Sequence, residues 1–156
     1  MTEWRDVTAA ELNGDLAVEV PIAASGQLAR RFPFRFHGVV GAAARVFTIT
    51  EDRALVVVEG RRLTARFGPW CVETTVDNIA KTSITGPYKR WKVAGPVHLS
   101  FADRGLTFAT NAEAGLCLGF IEPVRGFDPR GWLRHPGLTV TVADPHGLIA
   151  AIESAR

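Results

Sequence analysis

ALVVVEGRRLTARFGPWCVETTVDNIAKTSI, residues 54 to 84, is the stretch whose reading decides the fold. Ala54-Leu55-Val56-Val57-Val58 is a compact apolar run with the β-branched bias of a well-buried strand, and Glu59-Gly60 supplies a turn. From 62 to 67 the pattern alternates. Leu63, Ala65 and Phe67 fall on one face and Arg62, Thr64 and Arg66 on the other, as expected of a strand with one packed and one wet face. Gly68-Pro69 breaks the run, after which Trp70, Val72, Thr74 and Val76 share a face opposite Cys71, Glu73 and Thr75. Three consecutive strands of an antiparallel meander are predicted, and Ile79 to Thr85 adds a further strand or a bent continuation beyond the Asp77-Asn78 corner.

Working toward the N-terminus, Glu51-Asp52-Arg53 is the polar turn into the meander and a strand is expected over 45–50. Phe32, Phe34 and Phe36 alternate with Arg31, Pro33 and Arg35 in a strand-like segment over 31–40. These aromatic residues either line a ligand cavity or form core, and core is the reading adopted, because aromatic side chains dominate buried area. Leu16, Val18, Val20 and Ile22 alternate in another strand, placed at an edge or end by Pro21. Thr8-Ala9-Ala10-Glu11 has the form of a capping box and predicts a short helix.

Toward the C-terminus, Val97, Leu99 and Phe101 form a hairpin with 106–110 across Asp103-Arg104-Gly105. Leu116, Leu118 and Phe120 mark the inward face of the next strand. Residues 122–137 lack periodicity, hold three prolines and three glycines, and are expected to form a long loop. Leu138, Val140 and Val142 give a last strand. Asp144-Pro145 then opens a helix with Asp as N-cap and Pro at the first position, carrying Leu148, Ile149 and Ile152 on one face.

The chain has 156 residues, the size of one domain, with 47% hydrophobic and 22% charged residues. Its net charge of +2 is too small for a protein that coats nucleic acid, so no strong nucleic-acid signal is present. No apolar run approaches the roughly 20 residues of a membrane span. The polar, mixed-charge start is unlike a secretory signal, and a cytoplasmic location is expected. Cys71 and Cys117 lack zinc or redox spacing and read as buried free thiols, with a disulfide open only to adjacent strands. The four histidines lack ligand spacing, and no nucleophile elbow, metalloprotease, phosphate-loop or dinucleotide motif occurs. Neither a catalytic residue nor a cofactor or metal is assigned.

Two loops mix cations with aromatic rings. Tyr88, Lys89, Arg90, Trp91 and Lys92 form the first; Arg125, Phe127, Arg130, Trp132, Arg134 and His135 form the second. Cations pair with phosphates while rings stack or sit at an interface, so the pair suits an anionic partner if the loops meet. The alternative is that Tyr88 and Trp91 fold back as lids on the core while the cations stay solvated.

The run Ile49-Thr50-Glu51-Asp52-Arg53-Ala54-Leu55-Val56-Val57 leading into Leu63-Thr64-Ala65-Arg66-Phe67-Gly68, and the ending Leu138 to Ile149 with its Asp144-Pro145 helix start, resemble the pleckstrin-homology-like (PH-like) fold of bacterial proteins. The resemblance spans about residues 45 to 154. It implies a partly open barrel or sandwich, a mainly β core over 44–155 closed by the C-terminal helix, with residues 1–43 an N-terminal extension of two strands in the same domain. In lipid-binding members the first hairpin loop is basic; here that turn is Glu51-Asp52-Arg53, which departs from the pattern.

The function this implies is a non-enzymatic binding or scaffolding module. It would engage an anionic lipid surface or an acidic protein through Tyr88, Lys89, Arg90, Trp91, Lys92, Arg130, Trp132 and Arg134, peripherally at the inner membrane face or in the cytoplasm. Two other classes stay open: a small apolar-ligand β-barrel lined by Phe32, Phe34 and Phe36, and an enzyme of unrecognised type with 122–137 as its lid. The Phe32 to Phe36 face also suits pairing with a second copy as a homo-oligomer.

Overall fold

In the computed structural model, residues 18–21, 28–36, 49–86, 97–99, 105–111, 114–126 and 130–156 are described. The first sheet follows the chain in order: β1 (Val18–Pro21), β2 (Leu28–Pro33), β3 (Ala54–Glu59), β4 (Arg62–Phe67) and β5 (Trp70–Thr75), each antiparallel to the next. The alternation read from the sequence sets the register. Val56 opposes Phe32 and Ala65, Ala65 opposes Val72, and these inward residues are buried, while Arg62, Arg66, Cys71 and Glu73 are exposed outside. Gly60 and Gly68 make the two tight turns with positive φ of 52° and 58°. At Gly68 a Cβ would also lie 2.9 Å from Ile49 Cγ1, so glycine is required twice over. The predicted strands over 54–75 are present with their faces as expected. The predicted helix near residue 9 and most of the strand over 45–50 lie outside the described residues.

The second sheet is not a meander. It holds β6 (Ile79–Thr85), β7 (Val97–Leu99), β8 (Leu106–Phe108), β9 (Gly115–Val124) and β10 (His135–Val140) in the order β6-β9-β10-β8-β7. β7 and β8 form the expected antiparallel hairpin. β10, however, inserts between β9 and β8 and runs parallel to β8, which corrects the expectation of an all-antiparallel meander. Strand order is fixed by long-range pairing, whereas alternation reports only faces. The long loop is shorter than read: β9 continues to Val124 and β10 begins at His135. Pro136 and Gly137 lie inside β10, where a register shift between His135 and Gly137 accommodates a residue without an N–H.

The inward faces of both sheets share one core with Phe32, Phe67, Phe108, Leu118 and Leu138 fully buried. Each such side chain contributes about 1.5–3 kcal/mol. Phe34, Phe67 and Phe108 run through it in contact, with ring centroids 5.0 and 4.9 Å apart, so the core reading of Phe32 and Phe34 holds and Phe36 packs partly against them. The helix α1 (Pro145–Ser154) starts as predicted, with Asp144 Oδ1 accepting from the Gly147 N–H at 2.8 Å. It buries Leu148, Ala151 and Ile152 in the same core, and Ile149 packs beside them. The described strands close no barrel, and no described helix is long and apolar enough to cross a membrane.

The sheets join at a corner. β2 pairs with β3 as far as Pro33, and Phe34 then bridges to Val142. Arg35 N–H donates to Thr141 O, and Ala143 N–H to Pro33 O. Thr110 Oγ1 donates to Arg35 O at 2.6 Å, so Thr141 must be the donor in the 3.2 Å contact between the two hydroxyls. Thr141 Oγ1 in turn accepts the Thr110 N–H, and Asn111 Nδ2 adds a second donor to Arg35 O. Thr110, Asn111 and Thr141 are at most 2% exposed, so each bond replaces one that water cannot make. Thr141→Val keeps the shape and leaves the Thr110 N–H without its partner. Guanidinium unfolding should show a loss of about 1–3 kcal/mol, and a loss under about 0.5 kcal/mol would mean that the hydroxyl pair does not hold the corner.

Candidate functional site

β5 ends the first sheet, and its outward alternation sends Cys71, Glu73 and Thr75 to the surface. Past it the chain turns through Val76–Asn78 into β6, and β5 lies in contact with β9. A groove of about 850 Å³ lies there, with Cys71, Glu73 and Asp77 on one side of the sequence and Ile121, Arg125 and Arg134 on the other.

Asn78 builds the junction. Its side-chain Nδ2 donates to Glu122 O at 2.9 Å and its Oδ1 accepts the Glu122 N–H at 2.8 Å, so the amide mimics a strand residue and prolongs the pairing of β6 with β9. The same Nδ2 donates to Thr74 Oγ1. Arg61 Nε donates to Asp77 Oδ2 at 2.9 Å, a second guanidinium nitrogen pairs with Oδ1, and Nη1 reaches Arg156 O. That hydrogen bond, aided by the charge, holds the Asp77 carboxyl below the usual carboxylate range. Asp77 is therefore committed to Arg61.

Beyond Val124 the chain hugs the first sheet. A Cβ on Gly126 would meet Val72 Cγ2 at 2.3 Å, so only glycine passes. Gly131, at φ +65°, turns the chain with the Arg125 side chain laid over it. Next come Trp132, 80% exposed, and Leu133, 47% exposed, with Ile121 at 66% on the neighbouring groove wall. The Arg130 guanidinium sits 5.9 Å from the Trp132 ring centroid, within cation–π range, and Arg134 Nη1 donates to Pro123 O. Three arginines and three exposed apolar side chains thus gather at one end of the molecule.

Of the predicted site residues, Arg130, Trp132 and Arg134 come together here, and Arg125 joins them from the same loop. Tyr88, Lys89, Arg90, Trp91 and Lys92 lie outside the described residues. Sequence reasoning missed Ile121, whose signal was present: an apolar residue on the outward side of the Leu116, Leu118, Phe120 alternation. It missed Asn78, whose strand-mimicking role has no local signature.

Cys71 corrects the reading of both cysteines as buried. It is exposed on β5 and Cys117 is half-buried on β9; both are free and lie in different sheets. Partial shielding by its neighbours, reinforced by Glu73 and opposed by Arg66, raises the Cys71 thiol pKa above its ordinary value and favours the unreactive thiol form. Among the described residues no three His, Cys, Asp or Glu side chains converge as a metal site.

Because Asp77 titrates lower in the folded chain than in the unfolded one, its pair with Arg61 stabilises the fold above about pH 4, and this is lost as pH falls through the folded-state value. Both groups are exposed, so the effect is small. Asp77→Asn is expected to lower unfolding free energy slightly near pH 7 and not near pH 2; an equal loss at both would show that the ion pair is not what Asp77 contributes. No protein-family model, curated protein or solved structure matches this chain, which leaves its own geometry as the guide to what it does.

Proposed function

We propose that this chain is a PH-like binding module that attaches peripherally to an anionic membrane surface on the cytoplasmic side. The first sheet's ordered meander and the single terminal helix, capped by Asp144 and packed through Leu148 and Ile152, support the PH-like reading. The observation that carries the membrane reading is Trp132, 80% exposed, beside exposed Leu133 and Ile121 and accompanied by Arg125, Arg130 and Arg134. An indole prefers the boundary between headgroups and acyl chains, aliphatic neighbours gain by entering the apolar side, and arginines pair with lipid phosphates. No carboxylate among the described residues pairs with these three arginines, so their charge is free to act outward. Glu73 and Glu122 share the groove with Arg125 and Arg134. Tyr88, Lys89, Arg90, Trp91 and Lys92 form the second basic aromatic stretch of the same proposal.

Co-sedimentation with neutral and anionic vesicles tests this directly. Binding is expected to anionic vesicles alone and to fall as salt rises, since the Debye length shrinks to about 8 Å at physiological ionic strength. Arg130→Gln with Arg134→Gln should weaken binding about fivefold per charge, from about 1 kcal/mol each. Trp132→Ala should weaken the part that survives salt. Absence of binding to either vesicle would sink the membrane reading, and an acidic protein would become the partner to test.

A further inference from the structure

A second basic surface lies on the outer face of the first sheet, apart from the loop between β9 and β10. Alternation turns Arg31 of β2, Leu55 and Val57 of β3, and Thr64 and Arg66 of β4 to one side. The register makes them neighbours: Val57 opposes Arg31 and Thr64, and Leu55 opposes Arg66. Arg53 completes the group from the turn before β3, held in place by the Gly68 N–H donating to its carbonyl at 2.9 Å. These residues, with Asp52 and Gly68, line a groove of about 550 Å³ whose floor is the half-buried pair Leu55 and Val57.

The three arginines differ from their neighbours in charge balance. Arg61 is matched to Asp77, and Arg62 lies 4.0 Å from Glu73. No carboxylate among the described residues pairs with Arg31, Arg53 or Arg66. Asp52, the one acid among the described residues of the groove, accepts a hydrogen bond from Thr50, which with the nearby Arg53 charge keeps its carboxyl ionised below the usual range. Arg31 Nε is shielded from water and makes no hydrogen bond. A shielded donor without an acceptor is costly, and like charges gathered over an apolar floor repel. Both costs are relieved by one event, the arrival of an anion with several acceptor oxygens.

We infer that this face is a binding site for a small phosphorylated molecule, a phosphomonoester or diphosphate whose oxygens are held by Arg31, Arg53 and Arg66 while its carbon body rests on Leu55 and Val57. Among the described residues, three cations against one carboxylate leave an excess that a doubly charged group neutralises. Guanidinium forks match phosphate oxygens two at a time, and the Thr64 hydroxyl adds a donor beside them. The sheet holds the Arg31 and Arg66 backbones, and the hydrogen bond from Gly68 N–H holds that of Arg53, so little backbone order is lost on binding. This site shares no residue with the proposed membrane surface and does not depend on that proposal.

Inorganic pyrophosphate is the probe, titrated into the full chain by calorimetry and thermal unfolding against sodium chloride of equal ionic strength. Saturable binding is expected, with Tm raised by roughly 3–6 °C at about ten times the dissociation constant. Arg53→Gln with Arg66→Gln, both at exposed positions, should melt normally in chloride and bind at least about tenfold more weakly per arginine. Arg31→Lys, which keeps the charge and loses the fork, should also weaken binding, whereas Arg130→Gln with Arg134→Gln should leave it intact. A shift reproduced by chloride, or kept by both the Arg53/Arg66 and Arg31 variants, would overturn the site. Capture by phosphoinositide vesicles without any response to pyrophosphate would overturn the assignment to a soluble molecule.

Discussion

The two sheets are held to each other by a corner at which the chain leaving β2 keeps a last hydrogen bond to β3, from Phe34 N–H to Ala54 O, while its other edge pairs with the chain beyond β10 through Pro33, Arg35 and the Phe34–Val142 bridge. Such a switch takes backbone amides and carbonyls into a place that water does not reach, and it is stable only if every one of them is satisfied. Thr110, Thr141 and Asn111 do this for the Arg35 carbonyl and for one another, from positions no more than 2% exposed. The aromatic core depends on the same corner. Phe34 touches Phe67 and Phe67 stacks on Phe108 only while the end of β2 stays fixed to both sheets.

With that frame set, the surface is organised by which arginines have carboxylate partners. Arg61 is spent on Asp77 and on the last backbone carbonyl of the chain, joining the β3–β4 turn to the C-terminal segment. Arg62 faces Glu73. The arginines of the β9–β10 loop and those of the outer sheet face are not matched in this way among the described residues. One set keeps company with exposed indole and aliphatic side chains, the other with a shallow floor of Leu55 and Val57. In the two proposals the same cation meets an interface in one setting and an enclosed anion in the other, because its surroundings decide how much water it must give up.

The strands over 54–75 and the start of α1 were legible because they rest on local rules. Val56, Leu63, Ala65, Phe67 and Val72 alternate with polar residues, and Asp144-Pro145 satisfies a helix start within four residues. The insertion of β10 beside β8 was not legible, since 26 residues lie between Phe108 and His135 and no local pattern records which edge a late strand will find. Pro136 and Gly137 suggested a loop and instead mark a bulge, a difference visible only once Val124 and Gly119 are seen opposite. In the candidate site, Arg130, Trp132 and Arg134 stood out by composition, whereas Asn78 acquires its role only from the Glu122 backbone 44 residues away.

What the sequence by itself determined is which side of each strand is packed and where the turns and the terminal helix begin, because side-chain direction in a strand repeats every two residues whatever lies next to it. What only the tertiary structure decided is neighbourhood across strands. Arg31, Arg53 and Arg66 are scattered over 36 residues and become one surface through the pairing of β2 with β3 and of β3 with β4. Register is a property of the whole sheet, set by burial of all the inward faces together, and a charge cluster built on it has no signature in any single stretch.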